Sequence, residues 1–292
     1  MPPPAHSELD SAPLGLIAGE GELPRLIARN AVAAGRTLVT VALRGCADPA
    51  LREQSSVFRW HGIVRLGGWI RTLRRAGCRE VVMVGRVRKS TMFAGPRWLQ
   101  YLQYLPDWTS IRLWYFRVRD RRNHSLLGAV ADELARNGIE MIDSTRYCPE
   151  ALATEGTLTA FEPPRSVRDD ADFAWPIARQ IADLDVGQAV AVKEREIIAV
   201  EAIEGTDKLI RRTAELCPQG GWTLVKLAKP NQDMRFDVPT IGPNTIENLK
   251  AARAAALVVE AGRTLILEKE RTIELANRHR IAILGRSVGG GR

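Results

Sequence analysis

The residues best suited to chemistry lie in one segment of the second half, KPNQDMRFDVPTIGPNT, which begins at Lys229. If residues 233–238 form a strand, the alternation of side chains places Asp233, Arg235 and Asp237 on one face. Carboxylates suit a divalent metal or a general base, whereas Lys229 and Arg235 suit phosphate oxygens. An isolated D-x-R-x-D would more simply be a solvated edge strand with local ion pairs. The neighbouring sequence favours phosphoester hydrolysis.

That neighbouring sequence is a strand, a polar loop and a helix start in succession. The apolar run Leu224–Leu227 predicts a buried strand, and Asn244 and Glu247 have capping-box spacing. Open α/β folds bind ligands where strands end and helices begin. The segment therefore supplies candidate catalytic residues and candidate substrate contacts. The candidate substrate contacts are Gln232, Thr240, Gly242, Asn244 and Thr245.

A second candidate is the turn AIEGTD at residues 202–207, where a strand ends and a helix begins. Thr206 or Asp207 is predicted to cap the helix, and Gly205 lets the backbone turn closely. Glu204 and Asp207 add two hard oxygen ligands beside a helix N-terminus, which suits Mg²⁺ next to phosphate. A capped helix without a ligand is the simpler alternative. The candidate metal ligands are Asp233, Asp207 and Glu204, with Gly205 and Thr206 as substrate contacts.

A third candidate is the first turn of the chain, GEGELP at residues 19–24. Gly19, Gly21 and Glu22 are candidate contacts to an anion at a helix N-terminus. Pro24 replaces the third glycine of the dinucleotide fingerprint, and Arg44 stands where a ribose-binding acid is expected. A ligand-free tight turn, a nucleotide phosphate or ribose site, and an NAD or FAD site remain alternatives.

The elements that must position these residues predict an α/β protein of two domains. Apolar runs, glycine stops and helical patterns give three strand–helix units in residues 14–142. We predict a Rossmann-like parallel sheet with helices in residues 14–145, where substrate or nucleotide binds. A linker follows at 146–168, and a mixed α/β catalytic domain at 169–286. In the second domain, a helix at about 169–184 is predicted to precede a hairpin.

Composition narrows the class of protein. The chain has 292 residues, 45% of them hydrophobic, and a formal net charge of +8. This charge suits anionic partners without choosing among them. The four cysteines lack metal or redox spacing and are expected to be reduced and mostly buried. The N-terminal residues lack a signal-peptide pattern and no apolar run spans a bilayer, so a cytoplasmic location is expected.

An aromatic and basic stretch at residues 92–122 has three interpretations: ordinary packing, a membrane interface or acyl-chain groove, and single-stranded nucleic-acid binding. Its aromatic residues are Trp98, Tyr101, Tyr104, Trp108, Trp114, Tyr115 and Phe116. No Gly-x-Ser-x-Gly nucleophile motif occurs, and the histidines lack metal-ligand spacing. Covalent catalysis is therefore not supported.

Four motifs together carry a family resemblance: GEGxLP at 19–24, AIEGTD at 202–207, KPxQDxRFDxPTIG at 229–242 and VEAGRTLI at 259–266. The chain resembles the bacterial UDP-2,3-diacylglucosamine pyrophosphatases of lipid A biosynthesis, the type unrelated to calcineurin-like phosphoesterases. The resemblance covers residues 14–285. It implies a Mg²⁺-dependent hydrolase that directs water at the α-phosphorus, giving UMP and 2,3-diacylglucosamine 1-phosphate (lipid X).

The resemblance also implies an essential aspartate, carried over to Asp233 with Asp237 as the second candidate. The implied partner is the lipid substrate, with transient contact to the inner face of the inner membrane and no nucleic acid. The oligomeric state is left open, a homo-oligomer included. A Rossmann-type oxidoreductase and a basic nucleic-acid-binding protein are the rival classes. Neither rival explains the acidic motifs at 204–207 and 233–237.

Overall fold

The computed structural model describes residues 12–87, 105–116, 123–229, 233–235 and 238–287. Contacts divide these residues into two units. The N-terminal unit runs to Cys148 and also contains residues 233–235, and the C-terminal unit contains the remaining described residues from Pro149 onward. No described helix is both long enough and apolar enough to cross a bilayer.

The N-terminal unit is built on a five-stranded parallel sheet. Its strands are β1 (Leu14–Ala18), β2 (Leu38–Leu43), β3 (Val57–His61), β4 (Glu80–Val84) and β5 (Glu140–Met141). They lie in the order β3-β2-β1-β4-β5, all parallel. This is the strand order of a doubly wound dinucleotide-type fold, so the predicted Rossmann-like sheet is confirmed.

Four described α-helices accompany this sheet: α1 (Leu23–Ala33), α2 (Leu66–Arg75), α3 (Trp108–Phe116) and α4 (Asn123–Arg136). Short 3₁₀ turns occur at Pro49–Gln54 and Ser144–Tyr147. The apolar faces of α2 and α4 bury Leu73 and Leu134 against Ile17 and Val39 of the sheet. Burial of full strands on both faces explains why β1 and β2 read as continuous apolar runs.

The C-terminal unit contains a six-stranded mixed sheet in the order β6-β13-β11-β9-β7-β8. β9, β11 and β13 are parallel to each other, whereas β6, β7 and β8 join antiparallel. A separate parallel pair joins β10 to β12. The predicted mixed α/β fold is confirmed. The strands are β6 (Gly156–Thr157), β7 (Ala189–Lys193), β8 (Glu196–Val200), β9 (Thr223–Lys226), β10 (Thr240–Ile241), β11 (Ala256–Glu260), β12 (Leu265–Ile266) and β13 (Ala282–Arg286).

The helices of this unit are α5 (Arg165–Asp183), α6 (Thr206–Leu216), α7 (Pro243–Ala251) and α8 (Lys269–His279), preceded by a 3₁₀ turn at Pro149–Ala151. α5 packs on β7 and β9 through Ala174 and Ala178. α6, α7 and α8 contribute to a second apolar cluster that encloses Trp222. The sheet is therefore covered by helices at two separate apolar clusters.

Two sequence expectations differ from the structure here. α5 begins at Arg165 rather than about residue 169, directly after Pro164, because proline disfavours helical conformation in the residue before it but tolerates a helix after it. Within residues 146–168, β6 pairs antiparallel with β13, so part of the predicted linker is a strand. The predicted hairpin is confirmed, with Glu194 and Arg195 at positive φ in its two-residue turn.

The cysteines follow expectation within the part of the chain described. Cys78, Cys148 and Cys217 are buried and Cys46 is partly exposed, all four as free thiols. Burial raises the pKa of the Cys78 thiol to about 11. These groups therefore pack as small apolar side chains.

Candidate active site

The turn after β1 is held by hydrogen bonds within the sheet. The N–H of Gly19 donates to the carbonyl of Val84 at 2.8 Å, and Glu20 and Arg86 exchange two backbone hydrogen bonds at 2.9 and 2.8 Å. A Cβ on Gly19 would lie 2.8 Å from the backbone of Gly85. Gly19 is therefore required where the segment after β1 passes close to the segment after β4, and its N–H already donates to Val84.

The remaining residues of this turn lead into α1. Gly21 has φ of 116° and open space around it, and Glu22 is the N-cap residue without a side-chain capping bond. Pro24 lies in the first turn of α1, where its missing N–H costs nothing. Gly21 and Glu22 therefore remain candidates for a ligand contact in the N-terminal unit.

In the C-terminal unit, the turn after β8 is organised by a buried acid that the sequence analysis missed. Glu201 is 5% exposed and accepts hydrogen bonds from the Thr206 hydroxyl at 2.9 Å and the Gln188 N–H at 3.3 Å. Gly205, at φ 82°, is the N-cap residue of α6. The prediction that Thr206 or Asp207 caps this helix is therefore wrong, because the Thr206 hydroxyl turns to Glu201.

The two predicted acids of this turn have partners within the unit. Glu204 accepts from the Ala202 N–H at 3.0 Å and from Arg212 at 2.8 Å. Hydrogen bonds from its own backbone N–H and from Ala202, together with the charge of Arg212, hold the pKa of Glu204 below its usual value. Asp207 accepts from the Asn248 amide at 2.9 Å, which links α6 to α7.

The loop after β9 contains the predicted catalytic residues. The Lys229 ammonium pairs with Asp185 at 2.5 Å within the C-terminal unit. Asp233 and Arg235 form a forked ion pair in which Arg235 Nε lies 2.9 and 3.0 Å from the two Asp233 oxygens and Nη2 lies 2.5 Å from Oδ2. This pairing raises the pKa of the Arg235 guanidinium.

The predicted strand at 233–238 is wrong for its described residues. The Arg235 N–H donates to Asp233 Oδ1 at 3.1 Å, so residues 233–235 form a turn closed by the aspartate side chain. The Ser144 hydroxyl donates to the Met234 carbonyl at 3.2 Å, both within the N-terminal unit. Gln232 and Asp237 lie outside the described residues.

The start of α7 also differs from the predicted capping box. Gly242 is the N-cap residue, and its N–H donates to the Thr245 hydroxyl at 3.3 Å, so Thr245 takes the part assigned to Glu247. Asn244 lies within the first turn of α7. The Thr240 carbonyl accepts from the buried Lys226 ammonium at 3.1 Å. The box shifted by two residues because Pro243 starts the helix earlier than the pattern indicated.

A second buried acid missed by the sequence analysis lies at the end of β11. Glu260 is 0% exposed and accepts a hydrogen bond from the Ala228 N–H at 2.8 Å. Arg263 lies 3.4 Å and Arg179 3.7 Å from its other oxygen. Arg263 also donates to the Lys229 carbonyl at 3.2 Å. One signal for this acid was present in the sequence: Glu260 ends the apolar run ALVVE and lies within the family motif VEAGRTLI.

The candidates therefore divide between the two units. Among the described residues, the N-terminal unit has Gly19, Gly21, Glu22, Asp233 and Arg235, and the C-terminal unit has Glu204, Gly205, Thr206, Asp207, Lys229, Thr240, Gly242, Asn244 and Thr245. Inside the C-terminal unit, the Asp207–Asn248 bond brings the 204–207 turn beside α7. This hydrogen bond links two of the three candidate segments of that unit, the 204–207 turn and the segment that begins α7. The third segment is the one at Lys229.

The predicted metal ligands are all carboxylates. Carboxylate oxygens are the ligands that Mg²⁺ prefers, and Glu204, Asp207 and Asp233 provide them. In the described part of the chain, no three His, Cys, Asp or Glu side chains are grouped to hold a metal. These carboxylates are therefore the right kind of ligand for a hard cation. Asp233 and Glu204 are each paired with an arginine, and each would have to give up that contact to bind the ion.

Comparison with known proteins covers nearly the whole chain. Residues 13–151 match the family model of the LpxI N-terminal domain, and residues 154–284 match that of the LpxI C-terminal domain. A relative from Caulobacter vibrioides, named UDP-2,3-diacylglucosamine pyrophosphatase LpxI, is 34% identical over 279 residues, covering 93% of this chain and 96% of the relative. With both domains matched in order and a relative of this identity covered almost end to end, the chain belongs to the LpxI family.

Proposed function

We propose that this chain hydrolyses the pyrophosphate bond of UDP-2,3-diacylglucosamine in lipid A biosynthesis. The observation that carries the proposal is the 34% identity over 96% of the length of the Caulobacter vibrioides pyrophosphatase. The N- and C-terminal family matches support it, because the models of both family domains match in order. The proposed site of action is the cytoplasmic face of the inner membrane, where a diacylated UDP-sugar is accessible.

The proposed reaction is attack of water on the α-phosphorus. A new P–O bond forms from the water oxygen, and the bond from the α-phosphorus to the bridging oxygen breaks. The products are UMP and 2,3-diacylglucosamine 1-phosphate, which leaves as the phosphate anion, while the water proton passes to a base. Asp233 is the proposed base, a role worth about 10²–10⁴-fold in rate. Asp237 remains the second candidate for this role.

Several described contacts support this assignment. The Arg235 guanidinium donates hydrogen bonds to both oxygens of Asp233, and this fixes the orientation of the carboxylate. Glu260 and Arg263 fix the backbone at Ala228 and Lys229, at the start of the same loop. The Lys229 ammonium and the Arg235 guanidinium are the proposed contacts to phosphate oxygens. The proposed substrate contacts named above in the 19–22, 205–206 and 240–245 segments complete the set.

Mg²⁺, or another divalent cation, is the proposed cofactor. When bound, such an ion would offset the charge that develops on the pyrophosphate oxygens. Asp233 is the ligand candidate in the N-terminal unit, and Asp207 and Glu204 are the candidates in the C-terminal unit. Because Glu204 already accepts from Arg212, Asp207 is the freer of the latter two to turn toward an ion.

The experiment is hydrolysis of UDP-2,3-diacylglucosamine in ¹⁸O-labelled water, with Mg²⁺ and with EDTA in its place. We expect turnover with Mg²⁺, loss of turnover with EDTA, and label in UMP. Label in the lipid phosphate would contradict attack at the α-phosphorus. Activity that survives EDTA would remove the metal from the proposal.

Variants of Asp233 test the proposed base. Asp233→Ala and Asp233→Asn should abolish hydrolysis while still binding the substrate. Asp169→Asn is the matched control, because Asp169 also pairs with one arginine, Arg195, and lies in α5. Wild-type turnover in Asp233→Asn would exclude Asp233 from the mechanism. Binding of NAD(P)H in a fluorescence titration would instead favour the oxidoreductase.

A further inference from the structure

One face of α3 is exposed and combines aromatic rings with a cation. Trp108, Arg112 and Tyr115 follow one another at helical spacings of four and three residues, so they lie on the same side of the helix. Trp108 is 75% and Tyr115 is 77% exposed. Leu113 of the same helix is buried in the core of the unit. The aromatic residues on this face are therefore turned away from the core.

The neighbouring helix α2 adds three arginines at the same surface. Arg71, Arg74 and Arg75 are exposed, and all three line a cavity of about 500 Å³ together with Arg112 of α3 and Glu133 of α4. Glu133 is buried and already pairs with Arg112 at 2.8 Å and Arg136 at 3.4 Å. Four arginines and one paired acid make this lining strongly positive.

A second cavity extends the positive surface along the edge of the sheet. It measures about 340 Å³ and is lined by Arg71, Arg75, Arg59 and His61, and none of the described residues that line it is acidic. Burial lowers the pKa of His61 most, and the charges of Arg71, Arg44 and Arg65 lower it further. Arg71 and Arg75 line both cavities, so the two are adjacent.

We propose that this surface docks the enzyme on an anionic phospholipid bilayer, with lipid phosphates at the arginines and the rings of α3 in the headgroup region. We call it the arginine–aromatic face, made of Arg71, Arg74, Arg75, Trp108, Arg112 and Tyr115. Exposed Trp and Tyr favour the membrane–water interface, and arginines complement anionic headgroups. Single-stranded nucleic acid has related chemistry. The choice of a bilayer rests on the proposed function, because a diacylated substrate partitions into lipid.

The test is sedimentation of the full chain with vesicles of phosphatidylcholine alone and of phosphatidylcholine mixed with phosphatidylglycerol. We expect binding to the anionic vesicles only, weakened by added salt. The variant Arg71→Gln/Arg74→Gln/Arg75→Gln should bind anionic vesicles on the order of 100-fold more weakly, at about five-fold per arginine. Trp108→Ser/Tyr115→Ser should bind more weakly and lose the part of binding that resists salt.

The matched control is Arg195→Gln/Arg271→Gln/Arg278→Gln, which removes three exposed arginines of the C-terminal unit and should bind vesicles like wild type. The variant Arg71→Gln/Arg74→Gln/Arg75→Gln is called the α2 variant. It should hydrolyse substrate dispersed in detergent as fast as wild type, and this activity would show that the variant is folded. Equal vesicle binding by the α2 variant and wild type would overturn the proposal. So would wild-type protein that binds a random oligonucleotide but no anionic vesicles. Because vesicle binding needs no turnover, an inactive enzyme would refute the proposed function alone.

Discussion

Glu260, at the carboxyl end of β11, accepts a hydrogen bond from the backbone N–H of Ala228, just beyond the end of the neighbouring strand β9. The acid is fully buried, and Arg179 and Arg263 neutralise it from one side. This contact fixes where the chain leaves the sheet toward Lys229. A carboxylate buried at the end of a parallel strand thus holds the start of the loop that leads to Lys229.

Glu260→Ala should destabilise the C-terminal unit by about 3 kcal/mol, because the Ala228 N–H loses its buried acceptor and two arginines lose their counter-charge. Hydrogen exchange of the β9 and β11 amides, read by mass spectrometry, measures the change. Glu274→Ala is the control, since the exposed Glu274–Arg278 pair in α8 should contribute less than about 0.5 kcal/mol. Equal protection in the two variants would contradict a structural role for Glu260.

In the proposed hydrolysis, Arg235→Lys should lower kcat about 10-fold and Arg235→Ala about 100-fold, the scale of loss for a misplaced catalytic group. A lysine ammonium keeps the charge but cannot bond both oxygens of Asp233 as the guanidinium does. A loosely held carboxylate is misplaced in the transition state, so kcat should fall more than KM rises. Steady-state kinetics separate the two constants. Full activity in Arg235→Ala would show that the ion pair does not position Asp233.

Gly19→Ala should destabilise the N-terminal unit by about 2 kcal/mol, because the added methyl group meets backbone atoms of Gly85 and Arg86 that cannot move aside. Gly128→Ala in α4 meets no atom within 4 Å and should stabilise by about 0.5–1 kcal/mol through helix propensity. Urea unfolding of both variants measures the difference. A neutral Gly19→Ala would mean that the turn is looser than described.

His61 predicts a dependence of stability on pH. Burial, then the charges of Arg71, Arg44 and Arg65, lower its pKa below 6.5 in the folded chain. As pH falls below about 6.5, the unfolded chain binds a proton that the folded chain does not, so stability decreases until the folded pKa is reached. His61→Gln should therefore lose less stability than wild type between about pH 7.5 and about pH 5.5. Identical pH slopes in urea titrations would contradict this assignment.

The cysteines should differ in reactivity. Cys78 has a pKa of about 11 and is buried, as are Cys148 and Cys217, whereas Cys46 is partly exposed. Only the thiolate reacts with iodoacetamide, so at about pH 8 the native protein should be labelled first at Cys46. Peptide mapping identifies the labelled site, and the urea-unfolded protein should be labelled at all four. Early labelling of Cys78 would indicate local opening of the N-terminal unit.

Local sequence predicted much of the fold. The apolar runs of β1, β2 and β9 and the glycine stops after α1 and α2 defined the two α/β regions, because burial of strands and helix termination depend on short-range pattern. β3 was not predicted, since as an edge strand it exposes Arg59 and alternates weakly. The family motifs indicated the segments proposed for chemistry without giving their conformation.

The amino-acid sequence by itself determined the fold class, the family and the residues available for chemistry. Only the tertiary structure decided that Asp233 and Arg235 close a turn, that Gly205 rather than Thr206 caps α6, and that Glu260 holds Ala228. The first two are local contacts, whereas the contact of Glu260 with Ala228 depends on where distant parts of the chain meet. Glu260 and Ala228 are 32 residues apart in the sequence. Whether a buried charge stabilises or destabilises the fold depends on the partners that surround it after folding.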